Sequence, residues 1–131
     1  MVMAWLLGCE QKLPSAPSEL TTGIVIYEHA NYLGESAHIT SDVKDLDDFR
    51  GPCESTSYDG NGGSTTTHEW NDCISSIRVA PGWRATVYEN DDFKGESLEI
   101  SSDVANLQLV KGSCNHGGLN DCISSMRVNR P

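Results

Sequence analysis

Two six-residue segments, 71–76 and 120–125, hold the side chains of this chain that are best suited to chemistry. Both read Asn-Asp-Cys-Ile-Ser-Ser. Carboxylate, amide, hydroxyl and backbone carbonyl oxygens are the ligands that Ca²⁺ takes in proteins, about six to eight of them. Asn, Asp and Ser also close turns through side-chain to backbone hydrogen bonds. The segments therefore allow two interpretations, a calcium site or a plain turn.

Length and charge set limits on the function. The chain has 131 residues, which suits one domain with a real core. Nine basic and nineteen acidic residues give a net charge of -10, which repels nucleic acid and attracts a hard cation, although solubility alone would also explain it. Twelve Gly and five Pro favour many short strands joined by turns.

The segments that position these motifs are themselves duplicated. Residues 24–79 align with 85–128, and each copy begins with an aromatic residue, four residues, a second aromatic, one residue and a glycine. These residues are Tyr27, Tyr32 and Gly34 in the first copy, and Tyr88, Phe93 and Gly95 in the second. Chance duplication at this level is remote, so the fold consists of two related halves.

Zinc binding and catalysis fit the sequence poorly. Cys114, His116 and Cys122 could bind zinc, but their spacing matches no familiar zinc framework and the first half has no counterpart of His116. The four histidines have no repeated acidic or nucleophilic partner, and the chain has no Gly-x-Ser-x-Gly elbow or phosphate loop. We therefore expect no enzymatic activity.

The aromatic-glycine hairpins and the repeated Asn-Asp-x-x-Ser-Ser motif resemble the βγ-crystallin family over about residues 23–129. The resemblance implies an all-β fold in which two Greek-key motifs form a sandwich of two antiparallel sheets. It implies a single domain over 23–131, with the first Greek key at about 23–80 and the second at about 83–129. Ser76 and Ser125 match the family serine that hydrogen-bonds the folded hairpin.

The same resemblance implies two interlocked calcium sites. In the family's double-clamp motif, the third residue gives its backbone carbonyl to one site and the fifth gives its hydroxyl to the other. A loop carbonyl after each first strand and an acidic side chain complete the expected set. The expected ligands of the two Ca²⁺ ions are Glu28, Asp72, Cys73, Ser75, Glu89, Asp121, Cys122 and Ser124.

Hydrophobic alternation supports the strands independently. Ile24 and Ile26, like Ala85 and Val87, alternate with other residues at a period of two, as half-buried strands do. Gly34 should adopt a backbone conformation that is closed to other residues. We expect all four hairpin aromatics to lie in the core.

The cysteines outside the N-terminal segment form a duplicated set. Cys53 and Cys114 are 61 residues apart, the same offset as Tyr27 and Tyr88. Four cysteines allow three connectivities, but the duplication favours Cys53 with Cys73 and Cys114 with Cys122. Such bridges would indicate an oxidising compartment.

The first half carries about twelve extra residues near Ser55 to His68. Within them, Asp59 to Ser64 has the composition of a loop. A long loop is either functional or merely tolerated, and toleration is the simpler interpretation.

The N-terminal residues 1–22 suggest a lipoprotein-like leader followed by a flexible linker. Leu6-Leu7-Gly8-Cys9 resembles a lipobox with Cys9 as the lipidated residue, but a basic region is missing and the apolar run is short. Either the start codon is misplaced or the match is chance. Residues 10–22 would be a tether or a plain disordered terminus.

These observations predict a calcium-binding βγ-crystallin domain, stabilised by the ion. We expect it to be secreted, periplasmic or on the cell surface, monomeric, and without nucleic-acid partners; a lipid on Cys9 would tether it to a membrane. One alternative is a secreted interaction protein, a protease inhibitor or small toxin, with Ser55–His68 as its active loop. Another is a metal-free structural crystallin.

Overall fold

A computed structural model describes residues 19–111, 118–119 and 121–131 of the chain. This part contains eight β-strands, two short 3-10 turns and no α-helix. The strands are β1 (Ile24–His29), β2 (Leu33–Ile39), β3 (Arg50–Tyr58), β4 (Ser64–Glu69), β5 (Ser76–Val79), β6 (Arg84–Asn90), β7 (Lys94–Ile100) and β8 (Ser125–Asn129). The 3-10 turns are Ala30–Tyr32 and Leu107–Leu109. No helix in the described residues is long and apolar enough to cross a membrane.

Each half contributes one three-stranded antiparallel sheet, ordered β2-β1-β5 in the first and β7-β6-β8 in the second. Between its second and last strands, each half sends an extended segment to the other sheet. Val43 bridges to Met126 in β8, and Val104 bridges to Ile77 in β5. Both bridges are reciprocal, with N–O distances of 2.8–3.0 Å. This exchange of strands is the Greek-key connection, and it confirms the all-β, two-motif fold.

The core lies between the inner faces of the two sheets. Ile24, Ile26, Ala85 and Val87 are all buried there, as their alternation predicts. Because neighbouring strand residues point to opposite faces, Tyr27, which follows Ile26, faces outward. The expectation that the hairpin aromatics are core residues is therefore wrong.

All four hairpin aromatics are partly exposed and pack in pairs on the outer faces. Tyr27 and Tyr32 meet edge to face with ring centroids 5.6 Å apart, and the second pair repeats this distance. The guanidinium of Arg78 covers the Tyr32 ring at 4.7 Å, and Arg127 covers Phe93 at 4.0 Å. The aromatics thus brace the folded hairpins, and cation–π contacts shield them from water.

The hairpin serines have the role that the resemblance implied. The Ser76 hydroxyl accepts from the Tyr32 backbone N–H at 3.0 Å and donates to the His29 carbonyl at 2.6 Å. Ser125 bonds the second hairpin in the same way. Gly34 has a φ of +81°, and a Cβ there would lie 2.7 Å from Cδ2 of His29, so the tight fold of the hairpin requires glycine.

The extra residues of the first half form a β-hairpin, which corrects the expectation of a long loop. Strands β3 and β4 pair with each other as a third, two-stranded sheet, and Tyr58 is opposite Ser64. Only residues 59–63 form the turn. The expected loop composition holds for this turn alone, while the Thr-rich segment after it is strand, as the β-propensity of Thr favours.

A disulfide joins Cys53 to Cys73, with a Cα–Cα distance of 6.1 Å, which confirms the first expected pair. Cys122 is also disulfide-bonded. Its expected partner Cys114 lies outside the described residues, as do Cys9 and residues 1–18 of the expected leader.

Candidate metal centre

The two repeated segments lie side by side between the halves. We call residues 71–76 the first clamp loop and residues 120–125 the second clamp loop, of which Asn120 lies outside the described part. The Asp72 N–H donates to the Ile123 carbonyl at 3.1 Å, and the Asp121 N–H donates to the Ile74 carbonyl at 3.2 Å. This reciprocal pair of bonds holds the loops together.

The local sequence explains the shape of both loops. Asp72 and Asp121 adopt the left-handed conformation, with φ of 51° and 55°, which Asp tolerates better than most residues. The chain then turns so that the Ser75 N–H donates to the Tyr27 carbonyl and the Ser124 N–H donates to the Tyr88 carbonyl, both at 2.9 Å. The fifth residue of each loop is thereby docked at the end of its own first strand.

A side-chain contact connects the two loops. The Ser124 hydroxyl donates to Oδ1 of Asp72 at 3.5 Å. Two residues of the predicted ligand set, one from each half, are thus adjacent. Cys73 is 2% exposed and its sulfur is in a disulfide, so its carbonyl is the group that it could offer to a hard cation.

The docking of the fifth residues also brings the predicted Glu positions close to the loops. Glu28 directly follows Tyr27, which holds Ser75, and Glu89 directly follows Tyr88, which holds Ser124. The Glu28 carboxylate itself accepts from the Glu35 N–H at 3.3 Å, inside the folded hairpin. The side chain of Glu28 therefore takes part in the folded hairpin, and its backbone carbonyl is the group that could serve as the predicted calcium ligand.

Burial, hydrogen bonds and neighbouring carboxylates together set the electrostatics of the first clamp loop. Burial raises the pKa of Asp72 most strongly. Hydrogen bonds from Ser124 and Asn71 lower it, while the negative charges of Asp121 and then Glu69 raise it. Two acidic side chains from opposite halves therefore repel each other across the loops.

A second acidic pair lies next to this loop, and sequence reasoning missed it. Burial, followed by a hydrogen bond with Glu69, raises the pKa of Asp47 to about 6. The charges of Glu69, Asp45 and Asp72 act in the same direction. Glu69 is 6% exposed and accepts from the Thr67 hydroxyl at 2.8 Å. The Asp-rich run 45–48 was the available signal, whereas nothing in the sequence marked Glu69 as buried.

The type of ion is limited by the donor set. Across residues 19–111, 118–119 and 121–131, no group of three or more His, Cys, Asp or Glu is arranged to hold a metal. The predicted set offers carbonyl and hydroxyl oxygens at Cys73, Cys122, Ser75 and Ser124 instead, which are calcium ligands. Because Cys122 is disulfide-bonded, its thiolate is not available to the alternative zinc site.

A second candidate surface is the β3–β4 hairpin. Its residues from Glu54 to His68 are exposed, apart from the half-buried Gly63. The Asp59 carboxylate accepts from the N–H groups of Asn61 and Gly63, at 2.7 and 3.0 Å, and so closes the turn. The hairpin is joined to the first clamp loop by Cys53–Cys73 and by the short chain segment after Glu69.

The chain is similar to proteins of known family. Residues 24–98 match peptidase inhibitor family I36. Spherulin-3A of Physarum polycephalum is 30% identical over 107 residues, which are 80% of this chain and 80% of that protein. A development-specific protein S homolog of Myxococcus xanthus is 41% identical over 58 residues, which are 44% of this chain and only 28% of that protein.

Solved structures share the fold. A βγ-crystallin domain from Flavobacterium johnsoniae is 30% identical, with a TM-score of 0.56 over 82% of this chain and 93% of that one. A βγ-crystallin domain from Clostridium beijerinckii is 23% identical, with a TM-score of 0.54 over 82% of this chain and 97% of that one, and shows the fold alone.

Proposed function

The chain belongs to the βγ-crystallin family and to peptidase inhibitor family I36, which shares that fold, and we propose that it binds calcium at two interlocked sites. The observation that carries the proposal is the contact of the Ser124 hydroxyl with the Asp72 carboxylate across the two clamp loops. It supports the expectation that each site takes oxygens from both halves.

The charge of the loops also supports a cation. Burial raises the pKa of Asp72 most strongly; a hydroxyl and an amide lower it by hydrogen bonds, and two neighbouring carboxylates raise it. A divalent ion between the loops would offset the repulsion between Asp72 and Asp121, and so would stabilise the folded state. Because each site has few formal charges, we expect dissociation constants of about 10⁻⁶ to 10⁻³ M.

Weak sites of this kind are filled mainly where calcium is abundant, outside the cytoplasm. The Cys53–Cys73 disulfide is typical of the same oxidising compartments. We therefore propose that the domain works in a secreted form or at the cell surface, as a binding module and not as an enzyme. Anchoring through a lipid on Cys9 stays a prediction from the sequence.

Thermal unfolding tests the calcium proposal. At free calcium of about 100 times the dissociation constant, one independent site should stabilise the fold by about 2.7 kcal/mol, since the ion binds oxygens that meet only in the native state. Melting curves should be recorded in millimolar calcium, in magnesium and in chelator. Calcium should raise the melting temperature above both controls. Equal curves in calcium and chelator would remove the proposal.

Peptidase inhibition is the second candidate function. It is favoured by the match of residues 24–98 to peptidase inhibitor family I36 and by the exposed hairpin within those residues. Inhibitors gain affinity when the contact segment is held in its bound shape beforehand, and the disulfide and the Asp59 turn hold this hairpin. Residual activity of a panel of endopeptidases, titrated with the intact chain, tests this function; activity unchanged across the panel counts against it.

A further inference from the structure

We infer that the β3–β4 hairpin is the inhibitory element, and that Tyr58 occupies the specificity pocket of an endopeptidase that accepts large aromatic side chains. The inference rests on the second proposed function and names the contact residue and the class of target. It follows from the exposure of Tyr58, the free edge of β3, the rigidity of the turn and the charge of the hairpin.

Tyr58 is the bulky apolar group that the hairpin presents. Its side chain is 80% exposed, and the flanking Ser57 and the opposite Ser64 are small. The other large hydrophobic side chains exposed in the described residues, Leu33 and Leu109, lie outside the hairpin. Aromatic side chains supply much of the binding energy at protein interfaces when they fill a pocket on the partner.

The backbone next to Tyr58 is arranged for strand addition. The Asp59 N–H donates to the Gly63 carbonyl at 3.1 Å, so these two residues form a hydrogen-bonded pair. Because such pairs alternate along an antiparallel ladder, the N–H and C=O groups of Tyr58 and Thr56 point away from β4. Within the described part, β3 pairs with β4 alone. An extended segment with a free edge can add to a partner's backbone in a cleft.

The hairpin tip is held rigid on both sides of Tyr58. Bonds from the N–H groups of Asn61 and Gly63 hold the Asp59 carboxylate and lower its pKa. The hydroxyls of Thr56 and Thr66 are hydrogen-bonded across the strands at 3.1 Å. Little conformational freedom would then be lost on binding, which favours inhibition over loose association.

The charge of the hairpin indicates which type of endopeptidase pocket it can fill. Residues 51–70 contain neither Lys nor Arg, while Glu54, Asp59 and Glu69 are acidic. Arg50, the first residue of β3, lies at the opposite end of the strand from Tyr58. A pocket with an acidic floor, which receives basic side chains, would therefore find no Lys or Arg near the hairpin tip. An apolar pocket that receives Tyr fits the exposed ring.

Inhibition assays with three endopeptidases test this assignment. Chymotrypsin and thermolysin have pockets for large apolar side chains, and trypsin, with an acidic pocket, is the control. The probes are the intact chain and three variants: Tyr58→Ser, Tyr58→Phe and Leu109→Ser. Leu109 is 84% exposed and lies outside the hairpin. Leu109→Ser is therefore a control that removes a similarly exposed apolar side chain, as Tyr58→Ser does, but away from the proposed contact. Melting temperatures verify that all variants fold.

The expected result is inhibition of chymotrypsin or thermolysin but not of trypsin. Tyr58→Ser should raise the inhibition constant about 30-fold or more, as for an interface hot spot. Tyr58→Phe should keep inhibition within about threefold, and Leu109→Ser should leave it unchanged. Inhibition that survives Tyr58→Ser, or that is strongest on trypsin, overturns this assignment but leaves peptidase inhibition standing. A wild-type chain that inhibits none of the enzymes overturns both.

Discussion

The hydroxyl of Ser124, in the second half of the chain, donates to the carboxylate of Asp72, in the first half, at 3.5 Å. The reciprocal backbone bonds of Asp72 with Ile123 and of Asp121 with Ile74 make this contact part of a crossed arrangement. If calcium binds as we propose, damage to one loop should therefore also affect the site of the other half.

Ser124→Arg should abolish the site that includes the Cys73 carbonyl, because a cation and a long side chain replace an oxygen ligand. The other site keeps Ser75 and should bind more weakly, because its Cys122 carbonyl lies in the altered loop. Calorimetry should show a loss of one of two sites, and a crystal structure with calcium should show which. Ser101→Arg, at an exposed residue outside both loops, is the control. An empty second-half site beside a full first-half site would mean that each motif clamps its own ion.

Ser76→Ala should lower the free energy of unfolding by about 1–3 kcal/mol, with or without calcium. The substitution leaves the Tyr32 N–H and the His29 carbonyl without their shared partner in a buried position. Urea unfolding in chelator measures the loss. Ser36→Ala, at an exposed position of β2, should change it by less than about 0.5 kcal/mol. If Ser76→Ala lowers the free energy of unfolding by no more than Ser36→Ala does, the serine does not hold the hairpin.

Gly34→Ala should destabilise the fold more than Gly60→Ala does, although both glycines have a φ of +81°. The backbone cost of about 1–2 kcal/mol is common to both. At Gly34 the added methyl also meets Cδ2 of His29 at 2.7 Å, whereas nothing lies within 4 Å at Gly60. Urea unfolding measures the free energy that each variant loses. The difference between the two values is the contribution of the close packing in the folded hairpin. Equal losses would mean that the hairpin has room for a side chain.

Asp47→Asn should flatten the pH dependence of stability in chelator. The fold raises the pKa of Asp47 from its ordinary value of 3.8 to about 6, so the folded state binds the proton more tightly than the unfolded chain does. This carboxyl therefore favours folding at low pH, and its contribution falls as the pH rises from about 4 to 6. The melting temperature should fall less between pH 4 and 7 in the variant than in the wild type. Asp48→Asn, at the exposed neighbouring residue, is the control. If the melting temperature falls equally in the wild type and in both variants, the Asp47–Glu69 pair is not the source of the pH dependence.

Much of the fold could be predicted from the sequence because its signals are local. The spacing of two aromatics and a glycine defines each folded hairpin, since the backbone conformation at Gly34 is closed to other residues. The alternation of Ile24 and Ile26 defines the inner face of β1. The same alternation places Tyr27 on the outward face, so the prediction of a core tyrosine, which rests on residue type alone, was wrong.

The β3–β4 hairpin was harder to predict. Its turn, 59–63, is rich in Gly and Asn, and this composition suggested a loop for the whole insertion. Between residues 54 and 68 its strands have no buried face, so they lack the apolar alternation that marks β1 and β6. They are held by cross-strand pairing and by the Cys53–Cys73 bond at the base.

The sequence by itself determined the duplication, the folded hairpins and the residues of the two clamp loops, since each of these is specified by residue type and repeated spacing. It favoured Cys53–Cys73 among three connectivities, and the structure decided for that pair. Only the tertiary structure decided that Ser124 meets Asp72 and that Asp47 shares a hydrogen bond with a buried Glu69. The partners in these contacts are 52 and 22 residues apart. The Greek-key exchange of segments between the sheets brings Ser124 to Asp72, because it packs each half against the loops of the other. Within the first half, bonds from the Trp70 N–H to the Leu46 and Phe49 carbonyls bring Glu69 close to Asp47.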